Sequence, residues 1–196
     1  MKVTKTAQAA ATKSKLEAVA RDLFARRGFE AVSAEELVAK ADVTRGALYH
    51  HYDGKEGLFA AVVETVMREL HAELARETAG LSDPLLALER GIGVFLTACS
   101  DPSVRRILLV DAPAVLGWQK WREMDAKYGL GLVKQALFAA MEMGLLQRGD
   151  VEVLAHLLLG ALTEAAMIIA RSPNPSKARK TAERAVVSVI EGSRIR

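Results

Sequence analysis

An all-α protein in two parts is what this sequence predicts, and three observations carry the prediction. Apolar residues recur at helical spacing through most of the 196 residues, and no stretch alternates as a half-buried strand does. Proline and glycine are few, 5 and 14, which leaves room for long helices. Helix-start signals punctuate the chain, with "SAEE" at 33–36 and Asp-Pro at 83–84 and 101–102. The pattern changes at about residue 55. Three short helices come before it, and longer, more apolar helices follow. The expected organisation is therefore a three-helix domain over 1–55, with a basic N-terminal arm, and a helical domain over 56–196.

Composition narrows the setting. The chain is 51% hydrophobic and 26% charged, ordinary for a soluble globular protein. Its single cysteine, Cys99, cannot form an intramolecular disulfide and suits a reducing cytoplasm. Nothing close in sequence lowers its pKa, so it reads as a small buried hydrophobe. The N-terminus is basic but lacks the apolar core of a signal peptide. The longest apolar run, 153–170, carries Glu164 near its middle. A carboxylate there costs roughly 2.5–3.5 kcal/mol on membrane insertion, so this run reads as a buried or dimer-facing helix and no membrane partner is expected. Net charge is only +3, but Lys2, Lys5, Lys13 and Lys15 all precede the first acid, Glu17. Such an unopposed cluster suits a phosphate backbone; a solvated tail is the alternative.

The elements follow in order. Leu16, Val19, Ala20, Leu23 and Phe24 define an amphipathic helix over about 13–27, stopped at Gly28. Ser33 caps a short helix to Ala41, with Glu36 completing a capping box and Leu37 and Ala41 facing inward. "ADV" turns the chain, and Thr44 caps a second short helix to about His51. Asp53 with Glu56 repeats the capping pattern and opens a long helix to about 79, marked by Leu58, Val62, Val66, Leu70 and Leu74. Asp83-Pro84 starts a helix to about Ser100, and Asp101-Pro102 a short one to about Leu109. Residues 111–117 read as irregular, followed by a long helix to about Gly144. Further helices are expected over about 151–171 and 176–194, separated by "SPNPS".

Two short helices joined by a tight turn, the second polar on one side, describe a helix-turn-helix. The second helix of that motif lies in the DNA major groove with its N-terminal residues at base edges. Here it is "RGALYHH". Leu48 points inward and Ala47 is small, while Arg45, Tyr49, His50 and His51 face outward or sideways. Arg45, at the helix start, is placed for a bidentate contact to guanine O6 and N7. Gly46 lets the backbone come close. Thr44, Tyr49, His51 and Lys55 are better placed for phosphates, which position a helix without reading sequence. Lys55 also begins the next helix, whose N-terminus favours an anion.

Those residues carry a resemblance. "KLEAVARDLFARRGFEAVSAEELVAKADVTRGALYHHYDGKEGLF" resembles the DNA-binding region of the tetracycline-repressor (TetR) family. The matching features are "A..LF...GF", the Ser33 helix with Leu37 at the usual isoleucine, and "V.RGALYHHY..KEGL". Asp42 departs from the glycine usual in the turn; aspartate tolerates a left-handed backbone better than most residues. Tyr52 stands where phenylalanine is common, keeping the ring and adding a hydroxyl. The resemblance implies a homodimeric transcriptional regulator, usually a repressor, released from a palindromic operator by a small molecule. Carried over by position, the DNA contacts are Ser33, Thr44, Arg45, Gly46, Tyr49, His50, His51 and Lys55. A small-molecule-binding helical dimer without specific DNA binding is the alternative reading.

Metal and catalytic chemistry find no support. Adjacent residues on a helix project about 100° apart, so His50 and His51 cannot share an ion without further ligands, and no metal or cofactor is expected. No G-x-S-x-G, P-loop, G-x-G-x-x-G or H-E-x-x-H occurs, so the chain does not read as an enzyme. A small-molecule site is expected in the C-terminal part. Trp118, Trp121 and Tyr128 cluster in one segment, with Phe95, Phe138, Met141 and Met167 on flanking helices; together they could line an apolar pocket for an apolar or amphipathic effector. Asp111, Arg122, Asp125 and Glu164 are its candidate polar groups, Glu164 being a carboxylate on an apolar face that needs a partner; the alternative is that these side chains simply build a core. The last two long helices carry apolar faces: Leu154, Leu158, Ala161, Leu162, Ala165 and Ile169 on one, and Ala182, Ala185, Val186, Val189 and Ile190 on the other. A two-fold four-helix interface would bury both.

Overall fold

A computed structural model of the chain describes residues 5–194. The helices, in chain order, are α1 (Lys5–Arg27), α2 (Ala34–Ala41), α3 (Arg45–Tyr52), α4 (Lys55–Thr78), α5 (Pro84–Ala98), α6 (Pro102–Arg105), α7 (Ala112–Leu116), α8 (Trp118–Asp125), α9 (Gly131–Glu142), α10 (Val151–Arg171) and α11 (Pro175–Glu191). Two π-helical segments, Arg106–Asp111 and Ala126–Leu130, interrupt the series. No strand occurs among the described residues; an isolated bridge pairs Leu146 with Arg194. The fold is all-α, as the periodicity predicts.

The chain forms two compact units, and their boundary differs from a cut at residue 55. The first comprises Met1–Val66 together with Arg106–Trp121; the second comprises Met67–Arg105 and Arg122–Arg196. The boundary falls inside α4, whose first half buries Leu58, Phe59, Val62 and Val63, with the Phe59 ring packed edge-on against Phe24 of α1.

In the first unit α1 begins at Lys5, about two turns before the amphipathic pattern starts. Ala7, Ala9, Ala10 and Ala11 fill that extension, and alanine is the strongest helix former. Leu16, Ala20, Leu23 and Phe24 are buried as their spacing predicts. Lys13 and Lys15 are exposed, while Lys2 and the side chain of Lys5 lie outside the described residues. Ser33 Oγ accepts the Glu36 N–H at 3.0 Å, so half of the capping box forms. The Glu36 carboxylate instead meets Arg27 at 2.7 Å. Asp42 adopts φ 53°, ψ 51° and supplies the left-handed turn before α3. Thr44 Oγ1 caps α3 through the Ala47 N–H at 3.2 Å.

Asp53 does not cap α4 as its spacing from Glu56 suggests. It closes α3 at φ 57°, and the Gly54 carbonyl accepts the first α4 bond, from Leu58 N–H at 3.1 Å. With only Asp53 and Gly54 between the helices, both sit at positive φ. Neither has the extended backbone from which a side chain reaches an N-cap position. The core of this unit contains Phe24, Phe29 and Phe59, their ring centres 5.1–5.7 Å apart. The 106–121 segment closes on the α1 exit: Arg106 Nη1 donates to the Arg26 carbonyl at 2.6 Å, and Asp111 Oδ2 accepts the Phe29 N–H at 2.9 Å. Residues 112–116, expected to be irregular, form α7 with Ala112 and Leu116 buried.

In the second unit α10 packs on α11 and α9, and α5 packs on α9 and α11. Asp83, Asp150 and Asn174 cap α5, α10 and α11 through their side chains. The long helix expected to reach Gly144 is broken by the Ala126–Leu130 π segment. The free apolar face of α10 also differs from the expected one. Leu158, Leu162, Ala165, Ile169 and Val186 are buried in the chain's own core. The outward residues of α10 are Val153, Leu157, Glu164 and Ile168, with Val189 on α11. Spacings of 3 and 4 residues place that set on the opposite face of the helix. Glu164 is therefore exposed within the chain, where the sequence suggested burial. By length and composition α10 could cross a membrane, yet Ala155, Leu159 and Ala166 also pack inward.

Candidate nucleic-acid interface and effector region

The polar face of α3 is built on a single apolar anchor. Leu48 is fully buried, and around it Thr44, Arg45, Gly46, Tyr49 and His50 are exposed. His51 is half-buried, its ring centre 5.0 Å from that of His50. Ser33 is exposed at the start of α2. The Ser33 and Thr44 oxygens accept backbone N–H groups as caps, which leaves each hydroxyl proton available to an outside acceptor. Arg45 extends across this face, 3.2 Å from Glu35 of α2 and with its guanidinium 5.6 Å from the Tyr49 ring centre. The Tyr49 ring lies against Gly54, where an added Cβ would come within 3.3 Å of it.

Gly46 is not required by the fold. A Cβ there would meet only Thr44 Oγ1, at 3.8 Å, an ordinary contact. Gly46→Ala is therefore expected to keep or raise stability, by up to about 1 kcal/mol through helix propensity. If the bare backbone serves DNA approach, the same change lowers operator affinity at least about tenfold. Thermal melts and fluorescence anisotropy on a labelled duplex measure the two effects separately.

Lys55 begins α4, as its sequence position predicts, and its ammonium is also engaged within the chain. Its ammonium donates to the Phe29 carbonyl at 3.1 Å and the Val32 carbonyl at 3.0 Å, and lies 3.9 Å from the Phe29 ring centre. Two of its three protons thus tie the start of α4 to the α1–α2 loop, leaving one for a phosphate. Tyr52 packs as an anchor against α1. Its hydroxyl donates to Glu17 at 2.8 Å and approaches the Lys13 carbonyl at 3.3 Å. Burial and the adjacent Glu17 carboxylate push its pKa up. The sequence shows the Tyr52 hydroxyl but nothing local that reveals Glu17 as its partner.

The expected effector residues divide between the units. Asp111, Trp118 and Trp121 belong to the first. Asp111 is engaged with Phe29, Trp121 is buried and donates its indole N–H to the Leu108 carbonyl at 2.9 Å, and Trp118 is 67% exposed. Phe95, Arg122, Asp125, Tyr128, Phe138, Met141, Glu164 and Met167 belong to the second. There Arg122 Nη1 meets Asp125 Oδ2 at 3.0 Å and Arg122 Nη2 meets His156 Nδ1 at 3.1 Å. A guanidinium only donates, so His156 Nδ1 accepts, and its Nε2 faces Glu152 at 3.3 Å. Burial raises the Asp125 carboxyl pKa against the opposing pull of Arg122 and His156. His71 Nδ1 lies 2.6 Å from the Tyr128 carbonyl, within the π segment. Phe95 and Met167 are half-buried, Met141 is buried, and Phe138 and Glu164 are exposed. Nothing local in the sequence joins His156 or His71 to this region, since each sits alone in a helical pattern. A shallow surface depression lined by Leu85, Glu89, Val187, Ile190, Glu191 and Arg194 shares no residue with the expected set. Cys99 is buried, and desolvation raises its pKa to about 12, which makes it a poor nucleophile. No group of three or more His, Cys, Asp or Glu suited to a metal ion occurs among the described residues.

Comparison with known proteins finds two family models in succession along the chain. The family model for bacterial regulatory proteins of the tetR family matches residues 17–62, and that for a tetracyclin repressor-like C-terminal domain matches residues 86–193. The chain is 30% identical over 141 residues to the Transposon Tn10 TetC protein of Escherichia coli, covering 72% of this chain and 71% of that protein. It is 33% identical over 105 residues to the HTH-type transcriptional regulator AcrR of Shigella flexneri, covering 52% and 48%. A crystal structure of a TetR-family transcriptional regulator from Pectobacterium atrosepticum superimposes with a TM-score of 0.81 at 30% identity, covering 99% of both chains. RolR in complex with resorcinol shares the fold, with a TM-score of 0.72 at 17% identity over 95% of this chain and 90% of that one. With both parts matched in order and the fold shared end to end, this chain belongs to the tetR family of DNA-binding transcriptional regulators.

Proposed function

We propose that this regulator is a cytoplasmic homodimer that represses transcription from a palindromic operator and is released by an apolar or amphipathic small molecule. The observation that carries the reading is the exposed face of α3, where Thr44, Arg45, Gly46, Tyr49 and His50 surround the buried Leu48. Arg45 reads guanine from the major groove. Ser33, Thr44, Tyr49, His50 and His51, with the remaining proton of Lys55, hold the backbone. The exposed apolar stripe Val153, Leu157 and Ile168, with Val189, supports pairing of α10 and α11 with their copies in a second chain. Glu164 lies within that stripe and needs a polar partner across the interface. The effector site lies in the second unit, near the Arg122–Asp125–His156 cluster with Phe95, Tyr128 and Met167. The resorcinol complex of a protein of this fold favours testing phenols first. Effector binding shifts the dimer toward a spacing of recognition helices that no longer matches successive major grooves. α4, continuous from the first unit into the second, is the lever.

In vitro selection from a random duplex library tests this reading. The expected product is an inverted repeat with half-sites about one helical turn apart. Arg45→Ala is expected to lose roughly 5- to 150-fold discrimination at one base pair of each half-site. Enrichment of no sequence would leave a ligand-binding dimer without specific DNA activity.

A further inference from the structure

Arg45 does not project alone from α3. Its Nη1 lies 3.2 Å from Glu35 Oε1 of α2, and the Tyr49 ring lies beneath its guanidinium. Glu35 is the unexpected member of this trio. Its side chain is 66% exposed and that of Arg45 64%, and an ion pair so exposed adds little to stability. Nor does α2 depend on Glu35 for its start. Ser33 caps that helix, and Glu36 supplies a second first-turn acid, held by Arg27 at 2.7 Å and Lys40 at 3.8 Å. What Glu35 does is place a negative charge beside the very residue that must enter a groove lined by phosphates. On electrostatic grounds alone that placement weakens DNA binding.

We propose that Glu35 is a specificity-determining residue that acts through Arg45, a proposal that rests on reading Arg45 as the base-contacting arginine. A guanidinium offers five N–H donors in a planar fork. Glu35 engages it at Nη1 and the Tyr49 side chain also holds it, with the ring centre 5.6 Å away, so the guanidinium is kept in one orientation toward guanine O6 and N7. The carboxylate acts a second time through its charge. The penalty of that charge falls on every protein–DNA encounter alike and lowers affinity, while the discrimination comes from the orientation that Glu35 gives Arg45. Glu35 touches no base itself and is a positioning residue.

The two roles make opposite changes in one variant. Glu35→Gln keeps the side-chain shape and removes the charge. The experiment compares wild type, Glu35→Gln, Arg45→Ala and the double variant on the selected operator, on operators altered singly at each position, and on a random-sequence duplex, each at two salt concentrations. Glu35→Gln is expected to bind the random duplex at least about threefold more tightly, with a salt slope steeper by up to about 0.9. It is also expected to lose at least about fivefold discrimination at the base pair that Arg45→Ala identifies, and at no other. In the Arg45→Ala background it should change discrimination nowhere, while still tightening random-duplex binding. Unaltered discrimination in Glu35→Gln overturns the proposal, whether or not random binding tightens. A lowered melting temperature with unaltered discrimination does so too, and leaves Glu35 as a helix-start acid. If Arg45→Ala itself leaves discrimination intact at every position, the reading of Arg45 fails first and the role of Glu35 fails with it.

Discussion

Gly57→Ala is expected to destabilise the first unit by about 3 kcal/mol or more, the largest effect of any glycine-to-alanine change in the chain. An added Cβ at Gly57 would lie 2.7 Å from the carbonyl carbon of Tyr52 and closer still to its oxygen. Those atoms are backbone, so no rotamer change relieves the overlap. Asp53 and Gly54 already sit at φ 57° and 94° to bring α4 back across the end of α3. Moving α4 outward would also withdraw Leu58 and Phe59, both fully buried, from the core. Urea denaturation followed by circular dichroism measures the loss. Gly131→Ala is the control: it places a Cβ with nothing within 4 Å, and helix propensity makes it neutral or stabilising by up to about 1 kcal/mol.

Lys55→Met is expected to cost about 1.5–3 kcal/mol of stability, the range for hydrogen bonds made by a charged group. The substitution keeps the aliphatic stem against the Phe29 ring. It leaves the Phe29 and Val32 carbonyls without the donor that lies 3.1 and 3.0 Å away. A residue serving phosphates alone gives a different result: unchanged stability and a salt dependence of DNA binding shallower by about 0.9. Urea midpoints and anisotropy titrations across salt concentrations separate the two.

What the sequence revealed and what it concealed follow from the range of the interactions involved. The capped starts at Ser33, Thr44 and Asp83 were legible because a cap is a contact over two or three residues. Leu37, Leu48, Leu58 and Val62 were legible as core because helical periodicity carries burial on its surface. Asp42 was legible too, since a departure from glycine in a turn leaves aspartate among the few alternatives that accept the left-handed region. The features that local pattern left incomplete are those where distant segments compete for one residue. Asp53 has the spacing of an N-cap, but the two-residue link to α4 forces it to positive φ. Lys55 has the charge and position of a phosphate clamp, but carbonyls more than twenty positions earlier claim two of its protons. On α10 both faces are apolar, so periodicity marks a buried helix without saying which face its own chain covers. Asp111 sits beside the tryptophans in sequence, and only the folded chain turns its carboxylate onto Phe29. Glu35 carried no signal of its own, because an acid in the first turn of a helix is common for reasons unrelated to DNA.

The first unit is assembled from two pieces of chain, and the order of synthesis makes them unequal. Val66 leaves the ribosome well before Trp121, and at about 5–20 residues per second the delay is roughly 3–11 s. During that interval the nascent α1–α3 segment lacks Arg106 on its helix-end carbonyls and the Asp111 acceptor for Phe29 N–H. The DNA-reading part, although encoded first, is completed only after α5 and α6 have emerged. A half-made chain therefore lacks these two contacts at the α1 exit, and they form only after residues 67–105 of the second unit have been made.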